Sequence, residues 1–313
     1  MKLTKMEIFL PVAEIQINVL VILVFGLITG FIAGMFGIGG GFLATPLLIF
    51  AGIPPAIAVA TSTNQIIASS TSGLLVHLRH GNVDVKMGSI LVFGGFFGSA
   101  IGMIIFKNLQ ATGQIDVVIG IIYVIFLGLI GSTMMFGAIK DILQKKYGIN
   151  LKTKRSKIAI ELSQLSKKLP LKSRFSKSDM EISIIVPFIL SILIGILVAL
   201  MGIGGGFLMI PAMISILRMK QSVITGTSLF QIIFIACNAS FLQALNNNID
   251  IILSFIMIIT SAIGSQIGSK ASYKIDADNL RSFLALLILA VCFKMLFTLL
   301  AEPASIYSLE LIK

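Results

Sequence analysis

Two glycine clusters stand out among the residues whose type and spacing could do chemistry. The segment Gly37–Phe42 reads GIGGGF and recurs as Gly202–Phe207, each time inside an apolar run. Consecutive glycines break a helix and expose backbone N–H groups, which in lipid must face protein or a wet cavity. Such groups suit an anion, although a tight structural turn would need the same residues. The predicted ligand-binding glycines are Gly39, Gly40, Gly41, Gly204, Gly205 and Gly206.

A polar stretch follows each cluster, near the start of the next apolar segment. Hydroxyl and amide groups can donate hydrogen bonds to an oxyanion without carrying a fixed charge. The same residue types also bond helices to one another in membranes, so both interpretations stay open. A further group, Ser69–Ser72, is expected to serve packing. The stretches complete the candidate substrate-binding set with Thr61, Ser62, Asn64, Gln65, Thr227, Ser228 and Gln231.

Residues suited to catalysis are missing from the sequence. The glycine clusters are not followed by the Gly-Lys-Ser/Thr of a phosphate loop, and no His-Glu-x-x-His motif occurs. Cys237 and Cys292 lie in apolar runs without the spacing of metal ligands. Asp84 and Asp250 stand just before apolar segments, where they are expected to cap helices. We expect no enzymatic activity, no catalytic residue, no metal site and no cofactor.

Composition shows what must position these residues. Hydrophobic residues make up 57% of the 313 residues and charged residues 12%, against about 25% charged in an average soluble domain. This balance excludes an ordinary soluble enzyme and a disordered chain. The net charge of +11 is concentrated in residues 140–181, which hold 12 basic and 4 acidic side chains. Cations beside membrane spans set topology and meet headgroups, so we expect membrane lipids as partners and no nucleic acid.

An all-α polytopic membrane protein is therefore predicted. Crossing the hydrocarbon takes about 20 apolar residues. Two shorter apolar pieces, 42–53 and 207–217, follow the glycine clusters and are predicted half-helices. The segments long enough to cross are 18–36, 56–77, 87–106, 114–139, 183–201, 222–245, 250–269 and 280–300.

An internal repeat organises these segments. The second glycine cluster lies 165 residues after the first, and further downstream the offset becomes 166, as from Gln65 to Gln231. The predicted organisation is a first transmembrane repeat over 1–139, a basic cytoplasmic linker over 140–181 and a second repeat over 182–313. Each repeat is a glycine-tipped helical hairpin plus three transmembrane helices. Three is odd, so the repeats are predicted to be inverted.

The alternative has four crossings per half and therefore parallel repeats. It would place Arg218, Lys220 and Lys270 outside, against the tendency of cations to lie inside. The inverted arrangement places these cations with the linker and Arg79 on the cytoplasmic face. It places the uncharged loop 246–248 on the opposite face.

The doubled GIGGGF element with Pro46 and Pro211, the Thr-Ser pairs after it and the segment HLRHGNVD at 77–84 resemble the TauE/SafE sulfite exporter family. This family is also called the toluene-sulfonate uptake permease group, and the resemblance covers nearly all of 18–300. It implies an inner-membrane protein that moves sulfite, sulfonates or other sulfur-containing organic anions. We therefore expect a secondary transporter of the plasma (inner) membrane for a small anion; no oligomeric state is predicted.

Two alternatives to an anion permease stay open. One is a permease for a carboxylate or another metabolite. The other is a non-transporting membrane scaffold, in which the glycine tips would pack dry against each other. A transporter would instead have a polar cavity near the middle of the membrane, with the halves rocking against each other.

Overall fold

The computed structural model describes residues 7–147, 170–178, 180–272 and 277–300. Within them the chain is an all-α polytopic membrane protein with two small β-hairpins. A short π-helical turn, Met213–Leu217, follows the helix Gly206–Ala212. The helices are Val19–Phe36 (α1), Gly41–Phe50 (α2), Pro55–Arg79 (α3), Val85–Ala111 (α4), Ile115–Tyr147 (α5), Ile185–Met201 (α6), Gly206–Ala212 (α7), Gln221–Leu245 (α8), Ile251–Ser272 (α9) and Ala277–Leu300 (α10).

Six helices in the described ranges are long and apolar enough to cross a membrane, namely α1, α4, α5, α8, α9 and α10. The predicted spans 56–77 and 183–201 correspond to α3 and α6. Helix α3 is not apolar enough to count as a membrane span, because its polar stretch lowers its hydropathy. Helix α6 is too short, with only 17 residues. Predicted half-helices 42–53 and 207–217 are found as α2 and as α7 with its π-helical turn.

Two antiparallel hairpins precede the two glycine-tipped segments, and the sequence did not predict them. Strands Glu7–Leu10 (β1) and Ile15–Asn18 (β2) form the first, and Lys172–Phe175 (β3) and Met180–Ser183 (β4) form the second. Each strand of the second hairpin begins 165 residues after its counterpart, so the repeat extends further upstream than the sequence indicated. The second hairpin lies largely within the predicted linker 140–181, of which 148–169 and 179 lie outside the described residues.

Each hairpin is hydrogen-bonded to one aspartate from the other half of the sequence. Asp84 caps α4 by accepting from the Met87 amide at 3.1 Å, and its other oxygen accepts from Ser178 Oγ at 2.5 Å. Asp250 caps α9 through the Leu253 amide at 3.1 Å and accepts from the Val12 amide of the first hairpin at 3.0 Å. The prediction that both aspartates cap helices is confirmed.

The helices form two compact units, and each unit draws on both halves of the sequence. The first contains both hairpins, α1–α4 and α6–α9. Within it α1 packs along α9 and α4 packs along α6, so each pair joins one helix from each half. Glycines allow the close approach: Gly34 lies against the backbone of Ser265, and Gly98 against that of Ile192.

The second unit contains α10 and most of α5. Gly131 of α5 faces Ile288 and Leu289 of α10. The Sγ atom of Cys292 lies 3.4 Å from the carbonyl oxygen of Val124. Helices α5 and α10 therefore pack through a glycine, aliphatic side chains and the Cys292 thiol.

Candidate functional site

Both glycine clusters are the tips of helical hairpins. Helix α1 ends at Phe36, and the capping Gly37 after it adopts the left-handed conformation at φ 67°. Helix α6 ends in the same way before Gly202, with φ 64°. Gly40 and Gly205 also have positive φ, 76° and 50°, and directly precede α2 and α7. Because a side chain is strained at such φ values, glycine is the residue that allows the chain to turn back here.

The two tips contact each other in the first unit. The rings of Phe42 and Phe207 stack with their centroids 4.9 Å apart and their planes within 7°. Thr45 Oγ1 donates to the Met201 carbonyl at 3.2 Å. A Cβ atom placed on Gly41 would overlap the carbonyl oxygen of Gly202. The structure therefore brings the two sequence-distant clusters into direct contact.

Helices α3 and α8 carry the polar stretches past these tips. Ile66 directly follows Gln65, and its repeat counterpart Ile232 directly follows Gln231; both isoleucines are buried against the tip glycines. Ser69, one turn further along α3, donates its hydroxyl to the Gly39 carbonyl at 3.0 Å. The predicted polar residues thus lie within about two helical turns of the tips.

Five of the predicted residues present a buried polar atom without a hydrogen-bond partner in the described part of the chain. The hydroxyls of Thr61, Ser62 and Ser228 are fully buried in this way. The amide nitrogens of Gln65 and Gln231 donate to Thr29 Oγ1 at 2.6 Å and to Ser191 Oγ at 3.1 Å, which leaves both amide oxygens unpartnered. Such groups cost about 1–3 kcal/mol each when unsatisfied, so a cluster of them is unusual in a structural core.

Backbone donors at the tips are also unused. Among the described residues, the amides of Gly39, Gly40, Gly204 and Gly205 donate no hydrogen bond to the backbone or to a side chain. All four glycines are buried. Buried backbone N–H groups are nearly always paired, so four unused donors at the tips are unusual.

Two predicted residues are engaged elsewhere. Thr227 Oγ1 accepts from the Asp84 amide at 2.9 Å. Asn64 accepts from the Ser240 hydroxyl and donates to Ser254 Oγ, the latter at 3.3 Å. These bonds join different helices, which is the alternative interpretation that the sequence left open for these residue types.

One residue that sequence reasoning assigned to packing belongs with the unpartnered group. Ser70 is fully buried, its hydroxyl has no partner within the described ranges, and it lies 3.3 Å from where a Cβ atom on Gly39 would be. The spacing could have revealed it, because Ser62, Ile66 and Ser70 follow one another at four-residue intervals along one face of α3.

A cavity of about 240 Å³ approaches the first tip. Gly37, Ser69, His77 and Thr225 are among the residues that line it. At the equivalent place near the second tip, Gln243 is the counterpart of His77 and is fully buried. Gln243 Oε1 accepts from Asn248 Nδ2 at 2.7 Å, and Asn248 Oδ1 accepts from Gln110 Nε2 at 3.0 Å. The two repeats therefore differ at these positions, because His77 lines a cavity whereas Gln243 is buried and bonded to Asn248.

Among the residues that the structure describes, no group of three His, Cys, Asp or Glu side chains could hold a metal ion. The candidate site consists instead of neutral hydrogen-bonding groups and backbone amides. These can bind an oxyanion by hydrogen bonds, and they offer no nucleophile paired with a base.

Comparison with known proteins adds the following. The family model for the sulfite exporter TauE/SafE matches residues 22–295. YunE of Bacillus subtilis (strain 168), a probable membrane transporter protein, is 25% identical over 279 residues, covering 87% of this chain and 94% of YunE. YjnA of the same organism, described in the same words, is 26% identical, covering 88% of this chain and 98% of YjnA.

A plant protein shares a shorter region. Sulfite exporter TauE/SafE family protein 1 of Arabidopsis thaliana is 28% identical over 134 residues, which cover 42% of this chain and 30% of the plant protein. No solved structure matches the chain.

Proposed function

The chain belongs to the TauE/SafE sulfite exporter family, a family of membrane transporters, and we propose that it is a secondary transporter for a small anion. The proposed substrate is sulfite, a sulfonate or another sulfur-containing organic anion, and the proposed location is the plasma (inner) membrane. The anion would be bound at the two glycine tips by backbone amides and by hydroxyls of α3 and α8.

The unpartnered buried donors at the tips are the observation that carries this proposal. Amides of Gly40 and Gly205 and hydroxyls of Ser62 and Ser228 are buried without an acceptor in the described chain. An oxyanion has several acceptor oxygens and would satisfy such donors without any fixed positive charge. Helix dipoles add to this, because α2 begins at the first tip.

Alternating access is supported by the difference between the two repeats at His77 and Gln243. The cavity reaches Gly37 from the end that carries His77, whereas Gln243 at the equivalent position is fully buried. If the two repeats exchanged conformations, the cavity would close at His77 and open at Gln243. Rocking of inverted repeats about a fixed site produces this exchange.

Contacts at the two ends of α4 support the inverted arrangement. Near its first residue, Asp84 bonds to Thr227, early in α8, while Gln110 near its last residue bonds to Asn248, just after α8. The loop after α3 and the start of α8 therefore lie at one end of α4, and the loop 246–248 lies at the other. Parallel repeats would place the loop after α3 and the start of α8 on opposite faces.

The scaffold alternative finds one supporting feature, the direct stacking of Phe42 on Phe207. A scaffold gives no reason for unsatisfied donors at the tips and on α3 and α8, whereas a transporter whose tips part to admit an anion needs them. Neutral donors bind carboxylates as well as sulfonates, so the carboxylate permease remains the second candidate within transport.

Flux measurements on purified protein in liposomes test the proposal. Uptake of radiolabelled sulfite, methanesulfonate and small carboxylates is compared in protein-containing and protein-free vesicles. We expect saturable uptake of sulfite or the sulfonate. Saturable uptake of carboxylates alone would assign the protein to the second candidate, and the absence of uptake of every anion by folded protein would favour the scaffold.

A further inference from the structure

A second, larger cavity continues from the first toward the end of α3. Its volume is about 480 Å³, and Ser72, Arg79, His80, Gln266 and Lys270 are among its lining residues. The two cavities share two lining residues, Val76 of α3 and Ser269 of α9, so they adjoin. The larger cavity therefore lies beside the one that reaches the first glycine tip.

The charges that line this larger cavity are cationic. Arg79 is exposed at the end of α3, and Lys270 lies in the last turn of α9. Within the described part of the chain, neither side chain forms an ion pair or a hydrogen bond. Neighbouring lysines behave differently: Lys86 Nζ donates to the Arg174 carbonyl at 2.9 Å and Lys177 Nζ to the Gly81 carbonyl at 3.2 Å.

Among the described side chains, the carboxylate nearest Arg79 in sequence does not offset this charge. Asp84, the described carboxylate closest in sequence, is buried and accepts from the Met87 amide and from Ser178. Cations at helix ends also favour the helix dipole and lipid headgroups. Those roles require no common cavity, whereas Arg79 and Lys270 come from different helices and line the same one.

We propose that Arg79, His80 and Lys270 form an anion-collecting vestibule that binds the transported oxyanion before it reaches the glycine tips. This inference rests on the proposed function, because it assigns the vestibule to the same anion. Unpaired cations in a cleft with low-dielectric walls raise the local concentration of anions. The tips themselves carry no fixed charge, so the vestibule supplies the attraction and the tips supply the hydrogen bonds.

The reactivity of a thiol placed in the vestibule reports the electrostatic potential there directly. Ser72→Cys is made in a chain whose two native cysteines are replaced by alanine, and its reaction rates with anionic and cationic methanethiosulfonate reagents are compared. The ratio of rates is normalised to that for a free thiol in solution. We expect the anionic reagent to be favoured by about tenfold at low ionic strength.

Charge variants and a competing anion complete the test. Arg79→Gln with Lys270→Gln is expected to bring the normalised ratio close to one, whereas Arg79→Lys with Lys270→Arg should preserve it. Lys107→Gln is the matched control, because Lys107 lies near the C-terminal end of α4 and the vestibule lies near the N-terminal end of that helix. This variant should leave the ratio unchanged. Methanesulfonate is expected to slow the anionic reagent in lipid-free detergent solution.

An unchanged ratio in the double glutamine variant would overturn the vestibule even if the wild-type protein transports anions. Protection by vesicles of anionic lipid but not by methanesulfonate would assign the site to a lipid headgroup and would also overturn it. If the thiol results are as expected while liposomes show no flux, the anion site stands and the proposed transport fails. The two proposals can therefore fail separately.

Discussion

At the scale of single residues, adjacent side chains of α8 have opposite roles. Ser228 Oγ is buried without a partner in the described ranges, whereas Thr227 Oγ1 accepts from the Asp84 amide at 2.9 Å. Removing an unsatisfied hydroxyl ends a desolvation cost, while removing an acceptor leaves a buried N–H unpaired at about 1–3 kcal/mol. Stability and binding should therefore separate at these two positions.

Thermal unfolding of the purified protein tests this separation. Ser228→Ala and Ser62→Ala are expected to unfold at the wild-type temperature or above it. Thr227→Val, which keeps the shape of the side chain, is expected to lose about 1–3 kcal/mol. If Ser228→Ala destabilised the protein as much as Thr227→Val does, the Ser228 hydroxyl would be a structural bond and not a vacant donor.

Sequence reasoning identified the residue types at the site and could not assign their partners. Glycine runs and polar stretches are visible because they repeat in register. The engagement of Asn64 with Ser240 and Ser254 joins residues that are 176 and 190 positions apart, and no local pattern encodes such a contact. Ser70 was assigned to packing together with Ser69 and Thr71, and in the structure those two neighbours do bond to the backbone.

At the scale of elements, the tip-to-tip contact depends on the absence of a side chain at Gly41. A methyl group there would overlap the carbonyl oxygen of Gly202 and would have to push the tips apart. Gly41→Ala is therefore expected to abolish or strongly reduce uptake into proteoliposomes while the protein still inserts into the membrane.

The matched control is Gly52→Ala. Gly52 also has a positive φ, 88°, but a Cβ atom there would meet nothing within 4 Å. This variant carries the backbone strain of an alanine at positive φ without any clash and should transport normally. Loss of transport in both variants would show that general destabilisation, and not the tip contact, limits uptake.

The hairpins show where element prediction fails. Each strand has four residues, and the paired segments EIFL and KSRF share no residue at equivalent positions. What they share is a buried last residue, Leu10 in one and Phe175 in the other, both 0% exposed. The long helices were predictable because about 20 apolar residues in a row have few other structures open to them.

At the scale of the whole molecule, the inverted arrangement predicts which loops share a membrane face. Cys237 and Cys292 are first replaced by alanine in the full-length chain. A single cysteine is then introduced at Lys177 in one variant and at Asn247 in another, and each is labelled with a membrane-impermeant reagent from either side. We expect the Lys177 position to react from the cytoplasmic side and the Asn247 position from the opposite side. Labelling of both from the same side would exclude inverted repeats and favour parallel ones.

The most direct test of the central claim is equilibrium binding of radiolabelled sulfite to the purified protein. The claim predicts saturable binding by the wild type and about a tenfold or larger loss of affinity for each of Ser62→Ala and Ser228→Ala, because each removes a hydrogen bond to a charged group. Thr63→Val is the control, since the Thr63 hydroxyl already donates to the Val59 carbonyl at 2.8 Å and should not affect binding. Equal affinity in the wild type and in both serine variants, with all proteins folded, would contradict an anion site at the glycine tips.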